Sequence, residues 1–273
     1  MKIALFTAGF SKYPIENAFE AAHKYGYDGI EIGGYRPHAY PIDLVNGDYK
    51  KIVALSEKFN LPIVSYAPEN NGSPYSLVFR DEKMNAESLE YFKTAIDASK
   101  LIKSQYCMFA CNHPGYGRDK EVVKKQFINN MKILAEHAEK VGVTIILEPV
   151  TPFEGTILVT SDDLVWAVRE INSPNVKGML DLACPISARE PVIEYFNKLG
   201  KDLRHIHFID AMSDCEDHLI PGDGAIDFKH LVKMLRDVDY DGYLSIELFT
   251  RYETEPDFAT ARAIEVVKEL LGR

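Results

Sequence analysis

The sequence predicts a closed (β/α)8 barrel, an α/β fold of the TIM type, and three observations carry that expectation. Short β-rich runs alternate with longer amphipathic stretches, eight of each. The length of 273 residues is near the roughly 250 typical of this barrel, so residues 1–273 are expected to form one catalytic domain. Finally, each of the last four β-rich runs finishes on or beside an acid or a histidine, at the barrel face where this fold places its chemistry.

The elements follow in order. A strand at 2–6 leads to a helix at 14–25, which Gly26 closes in a left-handed cap. Strand 29–32 precedes helix 49–59, and strand 63–67 precedes helix 81–103. Strand 106–109 is followed by helix 120–141 with Gly142 as its stop. After strand 143–147, Ser161-Asp162-Asp163 supplies a cap and N-terminal acids for helix 161–171. Strand 176–180 precedes helix 191–199, with Pro191 in its first turn and Gly200 after it. Strand 203–208 and helix 227–238 follow, then strand 243–246 and helix 256–270, which Pro256 opens. An open doubly wound sheet is the rival fold, but it usually carries a glycine-rich phosphate loop. Neither GxGxxG nor GxxxxGK[ST] is present, only the pair Gly33-Gly34.

Composition narrows the function. Lys and Arg number 31 against 41 Asp and Glu, a net charge of −10. That balance disfavours phosphate backbones and anionic membranes, so no nucleic-acid or membrane partner is expected. The four cysteines form no CxxC pair and read as free thiols. Met1-Lys2 runs straight into Ile3-Ala4-Leu5-Phe6 with no signal-like segment, and a cytoplasmic protein is expected.

The chemistry concentrates at four strand ends: Glu148 after 143–147, Asp181 after 176–180, His207 within 203–208, and Glu247 after 243–246. Taken singly, each has a bland reading, as a solvated carboxylate, a turn cap or a satisfied core histidine. In matching positions on four consecutive strands, they make a set. Three carboxylates crowded on an apolar wall repel one another unless they take up protons or share a cation. Oxygen ligands with one imidazole suit one divalent ion: Mn, Co or Mg, with Fe or Zn also compatible. His205, one layer deeper on the same strand, reads as interior packing.

Other polar groups near the strand ends are candidates for substrate contact: His38, Glu69 (with Asn70), His113 and Glu154. For each, a solvated loop residue is an equally good reading. The Ile220-Pro221-Gly222-Asp223-Gly224 stretch is a turn, either plain or a lid over the site. Tyr35, Tyr40, Tyr75 and Tyr116 are candidates for covering substrate or for packing between subunits of a homo-oligomer.

With these residues placed, the chain resembles the xylose isomerase-like superfamily of sugar phosphate isomerases and epimerases. Its phrases are most similar to the fructoselysine 3-epimerase group. They are Gly26-Tyr27-Asp28-Gly29-Ile30-Glu31-Ile32, Arg36-Pro37-His38-Ala39, Leu147-Glu148-Pro149, and Leu203-Arg204-His205-Ile206-His207. The resemblance implies that Glu148, Asp181, His207 and Glu247 bind the metal and that Glu148 and Glu247 are the catalytic acid/base pair. It implies a small-molecule sugar substrate and epimerisation at C3 of a ketose or ketosamine through a cis-enediolate. A ketohexose 3-epimerase or related sugar isomerase is the alternative, with a metal-dependent abasic-site endonuclease further off. Ketohexose 3-epimerases usually carry a His three residues after the metal Asp and an Arg six after the metal His. Cys184 and Ser213 stand at those positions here, whereas Glu154 matches that group's substrate-binding acid.

Overall fold

Eight parallel strands close into a barrel in sequence order in the computed structural model, which describes residues 1–69, 74–212, 215 and 217–273. Asn70 and Ser213 lie outside the described residues. The strands are β1 (Lys2–Phe6), β2 (Gly29–Gly34), β3 (Ile63–Pro68), β4 (Tyr106–Ala110), β5 (Thr144–Glu148), β6 (Val176–Asp181), β7 (Leu203–His207) and β8 (Tyr243–Ile246). Pairing of Lys2 with Tyr243 through Leu5 with Ile246 shuts the ring. The crossover helices are α1 (Ile15–Tyr25), α2 (Tyr49–Phe59), α3 (Glu82–Leu101), α4 (Lys120–Val141), α5 (Ser161–Ile171), α6 (Ile193–Leu199), α7 (Phe228–Asp237) and α8 (Pro256–Leu271).

Strand side chains alternate between two environments, because successive residues point to opposite faces. Leu5, Ile32, Phe109, Leu147 and Ile206 point outward and pack with Phe19, Phe92, Phe127 and Leu164 of the helices in one continuous core. Each such side chain contributes roughly 1.5–3 kcal/mol by leaving water. Phe6, Ala67, Met108, Ile146 and Met179 form a separate cluster inside the barrel. Stepping two residues along β5 from Ile146 gives Glu148, and along β6 from Met179 gives Asp181. The same period puts Glu31, Ser65, His205, His207 and Ser245 inside.

Several local expectations need correction. Glu148 and Asp181 are the last residues of their strands, and β7 ends at His207. The cap of α5 is Thr160, not Ser161. Thr160 has the extended backbone a cap needs and forms a capping box with Asp163, while the backbone N–H and hydroxyl of buried Ser161 bond to Glu190. Pro191 lies outside α6, which starts at Ile193. Gly200 has φ 51° and ψ −120°, so it is no left-handed cap, unlike Gly26 and Gly142. Short helical segments that the periodicity did not show fill the loops at 7–10, 41–48, 183–188, 200–202 and 250–252. No helix among the described residues is long and apolar enough to cross a membrane.

Candidate metal centre and active site

Glu148, Asp181, His207 and Glu247 converge at the C-terminal end of β5–β8. Each offers a ligand atom, and all four atoms lie within 4.8 Å of one another. His207 is central: its Nδ1 is 2.8 Å from Glu148 Oε1, 2.8 Å from Glu247 Oε2 and 3.7 Å from Asp181 Oδ2. Yet His207 Nδ1 and Glu247 Oε2 are buried without a hydrogen-bond partner. Buried polar atoms seldom go unsatisfied. Atoms this close but not aligned on one another are arranged for a shared cation, so the donor set fits a divalent ion.

The other ring nitrogen strengthens the fit. His207 Nε2 lies 3.2 Å from Glu31 Oε2, a fully buried carboxylate on β2. Metal-ligating histidines commonly donate their second N–H to such a carboxylate, which fixes the tautomer and the ring plane. His205 Nε2 reaches the same oxygen at 2.8 Å. The expected interior residue His205 is therefore an interior partner of Glu31. Phe6 lies along the His207 ring, centroids 5.5 Å apart.

Electrostatics record the crowding. Burial pushes the Glu148 carboxyl up to about 8, with Glu247 and Asp181 adding to the rise and His207 opposing it. Burial also pushes Asp181 up, but His207 and His218 more than offset it, and its pKa falls below the usual carboxylate range. Burial would lower the His207 imidazole, yet Glu247, Glu31 and Glu148 hold it well above the ordinary histidine value. The cluster thus favours the protonated forms of Glu148 and His207 and the charged form of Asp181.

Above the cluster opens a cavity of about 340 Å³, within the roughly 300–1,000 Å³ of small-molecule pockets. Phe6, Ala67, Pro68, Met108 and Phe249 give it apolar walls, while Glu69, Glu154 and Tyr35 add polar groups. Glu154 is held in place, its Oε2 accepting from Thr151 N and Oγ1 at 2.8 and 3.0 Å. Gly33 makes room for Tyr35, whose ring occupies the space a Cβ there would fill.

Of the expected substrate-contact residues, Glu69 and Glu154 line this cavity, and His38 and His113 do not. His38 is spent on structure, its Nε2 2.9 Å from both Phe10 O and Tyr13 O. His113 is exposed and accepts from Gly115 N through Nδ1 at 3.0 Å. Among the tyrosines, Tyr40 and Tyr75 meet through their hydroxyls at 3.4 Å, and Tyr116 is exposed.

Two site residues escaped sequence reasoning. Glu31 sits between Ile30 and Ile32 on β2, so a charged residue at an inward position of an apolar strand was the available signal. His218 is the other. It lies in the loop after β7, with Nε2 3.4 Å from Asp181 Oδ2 and 3.3 Å from Glu247 Oε2. Nothing in its local sequence marks it.

Comparison with known proteins bears on this geometry. A family model described as xylose isomerase-like TIM barrel matches residues 19–270. The chain is 40% identical over 271 residues to the fructoselysine 3-epimerase of Shigella flexneri, covering 99% of this chain and 98% of that protein. A D-tagatose 3-epimerase-like protein of known structure aligns with a TM-score of 0.84 at 22% identity, over 100% of this chain and 97% of that one. The IOLI protein, crystallised with a zinc atom, aligns with a TM-score of 0.83 at 22% identity, over 99% and 98%. At that identity, the two structures speak to the fold.

Proposed function

This chain belongs to the xylose isomerase-like TIM barrel family and is a sugar epimerase, and we propose that it inverts C3 of a ketose or ketosamine, as in the interconversion of fructoselysine and psicoselysine. One observation carries the reading. Glu148 and Glu247 come from the outer strands of the β5–β8 set and flank His207 Nδ1 at 2.8 Å each.

Inversion at a carbon next to a carbonyl needs a base on one side of a planar intermediate and an acid on the other. Glu148 and Glu247 fill those roles. One removes the C3 proton to give a cis-enediolate, and the other returns a proton to the opposite face. Glu148, Asp181, His207 and Glu247 would hold the ion, for which Mn, Co and Mg suit the donors best and Fe or Zn is compatible. When bound, such an ion polarises the C2 carbonyl and offsets the negative charge that develops on the sugar oxygens. Glu154, anchored by Thr151, and Glu69 face the cavity as hydroxyl- or amine-binding groups. The apolar walls keep water from the planar intermediate.

The test is NMR of the C3 configuration of fructoselysine and of free ketohexoses, with the enzyme loaded with Mn. Inversion with deuterium uptake at C3 from deuterated water is expected, and chelation of the metal abolishes it. Undiminished turnover after complete chelation would remove the metal from the reaction, and uptake at C1 alone would make the enzyme an aldose–ketose isomerase.

A further inference from the structure

We propose that His218 is a substrate-contact residue that donates its Nε2–H to a sugar oxygen lying beside Asp181 and Glu247. The inference rests on the C3-epimerase reading and adds to it a nitrogen donor, beside the Tyr35 hydroxyl. A ketose presents hydroxyl and carbonyl oxygens, and proton removal at C3 adds negative charge to them. The cavity answers mostly with acceptors: Glu69, Glu148, Glu154, Asp181 and Glu247. Thr151 gives its hydroxyl to Glu154 at 3.0 Å, and Cys184 turns its thiol toward Pro149 O at 3.1 Å. His218 alone among the described lining residues carries a side-chain N–H.

Its position is held from several sides. The neighbouring residue on one side, Asp217, pairs with Arg251 at 3.0 Å. On the other side, Leu219 exchanges two backbone hydrogen bonds of 2.8 Å with Asp210. The buried Asp210 carboxylate accepts from the amides of Ala211, Gly222, Gly224 and Ile226 at 2.8–3.1 Å. A side chain at Gly224 would collide with that carboxylate. The glycine turn at 220–224 is thus a clamp for the loop rather than a free lid. Phe249 meets the His218 ring edge-on at 4.9 Å between centroids. The 3.3 and 3.4 Å separations from Glu247 and Asp181 are long for a charge-assisted bond, normally about 2.7–2.9 Å. The ring is aimed into the cavity but not committed to either acid.

His218→Leu, His218→Asn and His218→Gln decide the matter, with Mn affinity measured by calorimetry and C3 epimerisation of fructoselysine by NMR. Loss of one donor to a developing charge typically costs about 10²–10³-fold. His218→Leu is expected to lower kcat/KM about 100-fold while Mn affinity stays within threefold. His218→Asn, too short to reach, behaves alike and stands in if the leucine variant does not fold. His218→Gln places an N–H near the same point and restores activity to within about tenfold of wild type. Activity of the leucine and asparagine variants within threefold of wild type overturns the proposal, as does a tenfold loss of Mn affinity, which would make His218 a metal ligand. Should wild-type enzyme fail to invert C3 of any sugar, the epimerase reading falls on its own. Calorimetric ketose binding to the Mn-loaded protein then judges His218: binding lost in His218→Leu supports the contact, and binding retained refutes it.

Discussion

The two halves of the barrel have the same backbone plan and opposite inner faces. From β5 to β8, the innermost upper positions are Glu148, Asp181, His207 and Glu247, each with an atom that could ligate a metal ion. From β1 to β4, the cavity walls are mainly apolar, Phe6, Ala67, Pro68, Met108 and Ala110, with Tyr35 and Glu69 just beyond the ends of β2 and β3. A barrel with acids all round would repel itself, and one with apolar groups all round would be a filled core. In the proposed function, this segregation lets one half hold a cation while the other leaves room for a sugar. Within these strands Glu31 is the charged exception: it sits on β2 but reaches across the interior to His205 and His207 at 2.8 and 3.2 Å.

The largest effect is expected from removing an acid from the β5–β8 half. Glu148→Gln and Glu247→Gln are each expected to lower C3 inversion by about 10²–10⁴-fold at saturating Mn. Proton exchange at C3 in deuterated water reads the effect, and circular dichroism confirms the fold. If both variants exchange at the wild-type rate, the acid/base assignment fails and the cluster is at most a binding site.

A smaller effect is expected from the residue that crosses between the halves. Glu31→Gln keeps the volume but replaces a carboxylate that two histidines share. Loss of such an outer partner typically weakens metal affinity about 10–100-fold. Calorimetric titration of Mn into the variant should fall in that range, with secondary structure retained. Affinity within twofold of wild type would show that His207 is oriented without Glu31.

How much of this was legible beforehand divides along the same line. The ligating half announced itself because Glu148, Asp181 and Glu247 interrupt apolar strands at their ends, and strand ends of a parallel barrel face one direction. His207 followed from its place near the end of the seventh strand. The barrel itself was legible because short apolar runs such as β1, buried on both faces, alternate with longer helices such as α4 that bury one face. The Glu31 pairing was hidden because it joins residues 174 and 176 positions apart in the chain, and no local pattern encodes a contact across the lumen. His218 was hidden for a related reason: its loop is held where the Asp210 carboxylate gathers the amides of Gly222, Gly224 and Ile226, 12 to 16 residues on. His38 and His113 misled as substrate contacts because loop position alone does not say where a side chain turns. One bonds to backbone carbonyls and the other lies at the surface.

The apolar half offers the last and mildest test. Ala67 lies on β3 facing the cavity, packed with Phe6 and Met108. Ala67→Leu adds three carbons to a wall and touches none of the ligating groups, so Mn affinity should stay within twofold. The added bulk enters sugar space, and KM for fructoselysine is expected to rise about tenfold, equivalent to roughly 1.4 kcal/mol, with kcat little changed. Any part of the side chain forced back into the packed interior would instead cost about 1–3 kcal/mol of stability, which thermal melting of the metal-free protein detects separately. A rise in KM with metal affinity and melting unchanged marks β1–β4 as the sugar-holding side. An equal loss in metal affinity would show that the two halves are mechanically coupled and that the division between them is only one of composition.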